Sequence, residues 1–360
     1  MTRSKRRWLR WFTGIVIVSV LLAAAVGFTY EAIGRKQDCR HPLRVGLAVD
    51  IGGRSLNIDC AGTGSPGVIL EAGGGGRGGY GWREVQLGVA TFTTVCWYDR
   101  AGEGWSDPPT GPRSSATVVQ DLHELLQRTP VPGPYVLVGH SIGGEYIRIY
   151  TAKFPAEIAG LVLVDSTHPD QREPVALLSP VSRLPALLRR LSCFALPIAA
   201  RFGIIRFALH NASVNVPPEF NSEQGPAERA LRNQRVKGAE MEAAQGCAAS
   251  DGGAILPDRG SGNPEIDGAA RSAGSLGDRP LIVLAAGQYW KPDDPIAAQQ
   301  IAEFHETWVH QLQPELAGLS SKGQLVVVAE SDHGIPAQAP ESVVTAVYEI
   351  VTDLRQKQSP

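Results

Sequence analysis

The segment from Tyr135 to Tyr150 limits what this chain can fold into more than any other. Tyr135-Val136-Leu137-Val138 is short, apolar, rich in β-branched residues and bounded by Pro134, which predicts a fully buried strand rather than a helix. Glu145 to Phe154 then carries apolar residues at helical spacing, so a sharp turn must join the two. That turn is Gly139-His140-Ser141-Ile142-Gly143-Gly144. It fits G-x-S-x-G, in which small residues flank a strained serine so that its hydroxyl stands clear of the backbone. An ordinary glycine-rich turn also satisfies the five-residue pattern; the strand before it and the helix after it favour a nucleophile.

On these residues the chain resembles the α/β-hydrolase family, from about Leu56 to the C-terminus. The resemblance implies an α/β fold with a mostly parallel central sheet flanked by helices. Apolar runs at Val68–Ala72, Thr93–Tyr98, Gly160–Val164, Pro280–Ala286 and Gln324–Ala329 read as its strands. Leu47–Val49 and Ser55–Asp59, separated by Gly52-Gly53, read as a hairpin. Ala116–Arg128, Pro295–Leu316 and Ala339–Leu354 read as helices, with Asp121, His123 and Glu124 on a solvated face. Between residues 169 and 278 no strong strand signal appears; Val175–Leu191 and Glu228–Ala244 look helical, and Ser250–Gly277 is rich in Gly, Ser and Asp. The resemblance makes this insertion a cap over the active site, and residues 46–168 with 279–360 the core.

The N-terminus obeys different physics. Twenty uncharged residues, Trp11 to Tyr30, are long enough to cross a bilayer as a helix. Arg3, Lys5, Arg6, Arg7 and Arg10 precede them, which predicts a cytoplasmic tail at residues 1–10 and an extracytoplasmic bulk after a single span at 11–30. Cleavage near Ala23-Ala24-Ala25 would instead give a secreted protein. Residues 31–45 are expected to be an irregular linker. Acidic and basic residues nearly cancel over 360 residues, a formal net charge of −2, which argues against a nucleic-acid partner.

Five cysteines on the outer side of a membrane invite disulfides. The resemblance implies that the strands holding Cys60 and Cys96 are neighbours, making that pair the first to test. Cys193 with Cys247 would staple the insertion and leave Cys39 free; buried free thiols are the alternative throughout.

A serine hydroxyl needs a positioned base, and the base an orienting acid. The family order of serine, acid, histidine points to His333, just past the last predicted strand. The acid is open. Family members usually carry it after the strand ending here at Ala286, where this chain has Gly287-Gln288-Tyr289-Trp290 and no carboxylate before Asp293 and Asp294. Asp165, at the tip of the preceding strand, is favoured over Asp294 and Asp293. Asp332 points away from its neighbour His333 on an extended loop. His140 is expected to pack beside the elbow, and His168 either to line the pocket or to cap its loop.

Gly74, in Gly73-Gly74-Gly75-Gly76-Arg77-Gly78-Gly79, and Ile142 are the expected backbone donors of an oxyanion hole. The same glycines fit G-x-G-x-x-G at Gly74, Gly76 and Gly79, with Asp99 about twenty residues on, so an NAD(P)-dependent oxidoreductase is a rival reading. Asp99-Arg100-Ala101-Gly102-Glu103-Gly104-Trp105-Ser106, however, resembles the D-R-x-G-x-G-x-S turn of α/β-hydrolases, which implies a structural Asp99. No cysteine, histidine or carboxylate cluster has zinc spacing, so neither metal nor cofactor is expected. The expectation is a serine hydrolase of small-molecule, lipid-like carboxylic esters. A membrane-tethered binding protein with a degenerate site is the non-enzymatic alternative.

Overall fold

The computed structural model describes residues 3–40, 44–74, 78–111, 113–171, 195, 198–209 and 264–358. The eight strands β1 (Leu47–Asp50), β2 (Ser55–Ala61), β3 (Val68–Glu71), β4 (Val95–Tyr98), β5 (Tyr135–His140), β6 (Ile158–Val164), β7 (Leu281–Ala286) and β8 (Gly323–Val328) form one sheet. Its order is β1-β2-β4-β3-β5-β6-β7-β8. The β1-β2 hairpin is antiparallel and joins β4 antiparallel, whereas β4 through β8 run parallel.

Alternation along the strands explains why their runs are apolar without a break. On β5, Leu137 packs into a core shared with α3 (Ser115–Gln127) and α4 (Ile142–Lys153) through Leu122, Leu125, Ile147 and Tyr150. Val136 and Val138 point the other way, toward Val85 and Val89 of α2 (Arg83–Val89) and Val343, Val347 and Ile350 of the C-terminal helix (Pro340–Gln358). A parallel strand buried on both faces has no polar side to show water.

The topology also fixes where a site can form. From β3 the chain moves one way to β4, then returns past β3 to β5 and continues outward the other way. The carboxyl ends of β3 and β5 therefore flank a switch point, where the connecting loops diverge and leave a crevice.

Strands β6 and β7 pair directly although over a hundred residues separate them in sequence, so that stretch is an insertion. The helices expected at Val175–Leu191 and Glu228–Ala244 lie outside the described residues, as does the Cys193–Cys247 pairing. Two described pieces are α5 (Ile204–Leu209) and α6 (Pro264–Ser272). The second falls in the stretch rich in Gly, Ser and Asp, where no helix was expected. It is ordered against the core because Ile266 joins Val118, Ile142 and Tyr146, and Arg148 Nη2 donates to the Ala270 carbonyl at 2.9 Å.

Three other expectations are revised. Helix α1 runs from Arg3 to Arg40, so residues 31–40 continue it rather than forming an irregular linker. His123 is half-buried, its ring stacked on Phe154 at 3.9 Å between centroids and its Nδ1 3.3 Å from Glu157, and Asp121 is paired with Arg54. Pro295–Leu316 is not one regular helix: α7 (Pro295–Thr307) passes through a π-helical turn, Trp308–Leu312, into α8 (Gln313–Ala317). Cys60 and Cys96 face each other across β2 and β4 and form a disulfide.

Candidate active site

Ser141 sits between β5 and α4 with φ 54° and ψ −128°. Among the described residues only Ser141 and Asp165 are non-glycine positions with positive φ. Such strain costs on the order of 1–3 kcal/mol and must be held by its surroundings. The Ser141 N–H donates to the Val164 carbonyl at 3.1 Å, and the Ser141 carbonyl accepts from Gly144 and Thr167 at 3.0 and 3.1 Å. The glycine spacing has a direct cause: a Cβ on Gly139 would lie 2.6 Å from the Gly143 carbonyl carbon. The two glycines of G-x-S-x-G touch across the bend.

The three side chains expected to act together are brought into one hydrogen-bonded line. His333 Nε2 is 3.1 Å from Ser141 Oγ, and His333 Nδ1 is 2.6 Å from Asp165 Oδ2. A carboxylate can only accept, so Nδ1 carries the proton and Nε2 is left to receive the serine hydroxyl. Asp165 Oδ1 accepts from the Ala286 N–H at 2.8 Å and from Trp308 Nε1 at 2.7 Å. Burial pushes the Asp165 carboxyl up, but His333 and the two N–H groups outweigh it and hold the pKa below its ordinary value. Asp294 is instead the N-cap of α7, accepting from the Ala297 N–H at 2.7 Å, and both it and Asp293 are exposed.

Trp308 carries no signal in sequence beyond an apolar position on a helix. The π turn that begins at this residue aims its indole at Asp165, and local widening of this kind often serves a site. His140 braces His333: its Nε2 donates to the His333 carbonyl at 2.7 Å. Asp332 holds the same loop by accepting from the Gly334 N–H at 2.8 Å. His168 caps its loop, with Nδ1 accepting from the Asp170 N–H at 3.1 Å. Burial lowers the His168 pKa against the pull of Glu315 and Asp170.

On the opposite side of Ser141, Gly73 comes so close that a Cβ there would lie 2.7 Å from His140 Nδ1 and 3.2 Å from Ser141 Cβ. Arg100, 2% exposed, clamps this loop: Nη1 donates to the Ala72 carbonyl and Nη2 to the Gly73 carbonyl, each at 2.7 Å. Its charge is met by Glu71 at 2.6 Å and Glu103 at 3.1 Å. Because the peptide unit is planar and trans, fixing the Gly73 carbonyl toward Arg100 turns the Gly74 N–H the other way. Ile142 opens α4, where N–H groups have no partner within the helix.

Asp99 is fully buried and accepts from the N–H groups of Gly79 at 2.7 Å and Trp105 at 2.9 Å and from Asn57 Nδ2 at 3.1 Å. Burial nevertheless pushes its carboxyl up to about 7. Turned inward and occupied in this way, it cannot reach a ribose, and the dinucleotide reading loses its acidic residue.

A cavity of about 380 Å³ opens over Ser141, Asp165 and His333. Tyr289, Trp290, Ile301, Phe304 and Trp308 give it an apolar wall, with Thr167, Gln171, Gln288 and His305 as polar points. His305 Nε2 lies 3.0 Å from the Ala286 carbonyl and His310 pairs with Glu306; among the described residues no group of three or more potential metal ligands occurs.

Residues 66–193 match the family described as alpha/beta hydrolase fold. An uncharacterised protein of Schizosaccharomyces pombe is 46% identical over 83 residues, which are 23% of this chain and 16% of that protein. The chain thus spans less than a fifth of that relative's length. An AB hydrolase superfamily protein of Gibberella zeae is 23% identical over 306 residues, 81% of this chain and 87% of that protein. Among solved structures, a haloalkane dehalogenase variant from Bradyrhizobium elkanii superposes with a TM-score of 0.56 at 15% identity, covering 87% of this chain and 98% of that one. A thermophilic esterase from Thermogutta terrifontis does so with a TM-score of 0.50 at 19% identity, covering 83% and 94%. The structural likenesses carry the fold and not the substrate. By its sequence match over residues 66–193 and its sheet, the chain has the α/β-hydrolase fold.

Proposed function

We propose that the protein hydrolyses carboxylic esters through an acyl-enzyme on Ser141. The observation that carries this reading is the unbroken line Ser141 Oγ, His333, Asp165 at the floor of the cavity. His333 Nε2 takes the hydroxyl proton as Ser141 Oγ attacks the carbonyl carbon, and the N–H groups of Gly74 and Ile142 receive the oxyanion. Collapse expels the alcohol, which leaves with the proton from His333. Water, deprotonated by the same imidazole, then attacks the acyl carbon and releases the acid and the free serine. The aromatic wall supports an apolar acyl or alcohol group, and α1, the one described helix long and apolar enough to cross a bilayer, supports a membrane-anchored, extracytoplasmic enzyme.

The test is labelling by a fluorophosphonate probe together with a chain-length series of p-nitrophenyl esters. Wild type is expected to label and turn over. Ser141→Ala should abolish labelling and lower turnover by at least roughly 10³-fold. Labelling that survives this substitution rejects the assignment. Absence of labelling in folded wild type would favour a tethered binding protein.

A further inference from the structure

We propose that the insertion segment 198–209 sits in the lipid interface where α1 leaves the bilayer, with Ile198, Ile204 and Phe207 seated in lipid. The proposal rests on reading α1 as membrane-spanning. At 1.5 Å per residue, a hydrocarbon layer of about 30 Å takes about twenty helical residues, the length of the uncharged run from Trp11 to Tyr30. Glu31 is the first charge beyond it and marks the boundary.

The insertion is fastened at that level. Glu31 is 3% exposed and accepts from Arg206 Nε at 2.9 Å and Nη2 at 3.1 Å, and from Arg35 Nε at 2.9 Å. One helical turn earlier, a Cβ on Gly27 would lie 2.5 Å from the Phe202 carbonyl oxygen, and one on Gly203 would lie 2.9 Å from the Tyr30 ring. Two glycines, one on each segment, let the backbones meet, as small residues do where helices pack in lipid. Contacts at residues 27, 30 and 31 leave the segment no height except the edge of the hydrocarbon.

Apart from Arg201, the exposed residues between 198 and 208 are apolar. Ile198, Ile204 and Phe207 are 56%, 58% and 75% exposed. Water would leave them uncovered, whereas the outer acyl region, continuous with the lipid around α1, covers them. The exposed Arg201 between them suits the headgroup level. A second copy of the chain is the competing cover.

The experiment uses the full chain in phosphatidylcholine vesicles. Cys39, Cys193 and Cys247 are changed to Ser, Cys60 and Cys96 are kept, and Phe207→Cys carries a nitrobenzoxadiazole label. A reference label is placed by Leu87→Cys, on α2 of the core. Lipid-borne doxyl groups are expected to quench the label at 207 about twofold or more strongly than aqueous iodide does, with the order reversed at 87. Iodide quenching at 207 equal to that at 87 overturns the proposal. A label at 207 shielded from both quenchers also overturns it, in favour of a second copy. An independent arm compares ester turnover by the Ile198→Asp, Ile204→Asp, Phe207→Asp triple variant. Hydrolysis of a long-chain ester held in vesicles should fall about tenfold while a short soluble ester is turned over as before. Failure to hydrolyse any ester would sink the proposed reaction and leave the quenching result standing.

Discussion

Replacing Asp165 by Asn tests the site at its most determined point. Two N–H donors, from Ala286 at 2.8 Å and Trp308 at 2.7 Å, converge on Oδ1. The new amide must put its oxygen there, because its NH2 group would face two donors. The NH2 then occupies the Oδ2 position, 2.6 Å from His333 Nδ1, and offers a proton where the ring now offers one. His333 responds by accepting at Nδ1 and carrying its proton on Nε2, so it can no longer receive one from Ser141. Loss of the correct tautomer in a serine triad costs about 10⁴ in kcat, or roughly 5 kcal/mol at 1.36 kcal/mol per tenfold. Asp165→Asn should therefore lose about three to four decades of kcat on p-nitrophenyl butyrate with KM little changed. The variant should stay folded, since a buried charge is removed while its shape is kept. Trp308→Phe supplies a test of sign. Alone it should slow turnover, by leaving the carboxylate one donor short. Added to Asp165→Asn it should restore part of the rate, because the amide is freer to flip. Activity of Asp165→Asn within tenfold of wild type would refute the argument and return Asp293 and Asp294 to consideration.

Other perturbations have equally definite outcomes. Burial, with Asp267 adding to it, pushes Glu145 up to about 7 from 4.5, so the fold favours its neutral form. That stability is fully present below about pH 4.5 and is lost as pH rises to about 7, on the order of 3 kcal/mol at the full shift. Urea unfolding in detergent at pH 5 and pH 8 should show Glu145→Gln flattening this fall; Asp99 titrates in the same window, so part of the slope remains. An unchanged slope would contradict the burial argument. Gly73→Ala places a methyl 2.7 Å from His140 Nδ1 and 3.2 Å from Ser141 Cβ, and should cost about 10–100-fold in kcat/KM with the far-ultraviolet spectrum unaltered. Loss of the Cys60–Cys96 bridge, which closes a separation of 36 residues, should cost about 4 kcal/mol, read as a shift of the urea midpoint in Cys60→Ala/Cys96→Ala. A midpoint that does not respond to the double substitution would mean that the unfolded chain gains nothing from opening that loop.

The strands, their order of appearance and the bend at Ser141 were legible because each depends on neighbours in sequence: short unbroken apolar runs, bounding Pro and Gly, and small residues where two backbone segments touch. The α/β architecture with its insertion between β6 and β7 followed from the same local signals and the resemblance they support. The helix through residues 31–40 was hidden by polar composition, which reads as linker although nothing in it breaks a helix; Glu31 and Arg35 there pair one turn apart. Helix α6 was hidden because its stability lies in Ile266 and Ala270 packing on α4, a contact across more than a hundred residues.

Asp165 was favoured over Asp293 and Asp294 through the resemblance and not through local signals, for a related reason. Asp165, Asp293 and Asp294 are equal as carboxylates at strand or helix ends, and local sequence does not say which one meets an imidazole from residue 333. Sheet order separates them: β6 lies beside β5, so the tip carrying Asp165 stands next to the bend carrying Ser141, while Asp294 caps α7. Trp308 and Arg100 gained their places in the same way, through a π turn and a buried ion cluster that exist only once distant segments are packed. Sequence alone thus determined the strands, the strained serine and the membrane-length helix, since these are short-range consequences of side-chain shape and hydropathy. The partners of that serine were decided only by the tertiary structure, because hydrogen bonds between residues over a hundred positions apart are set by how the sheet is ordered.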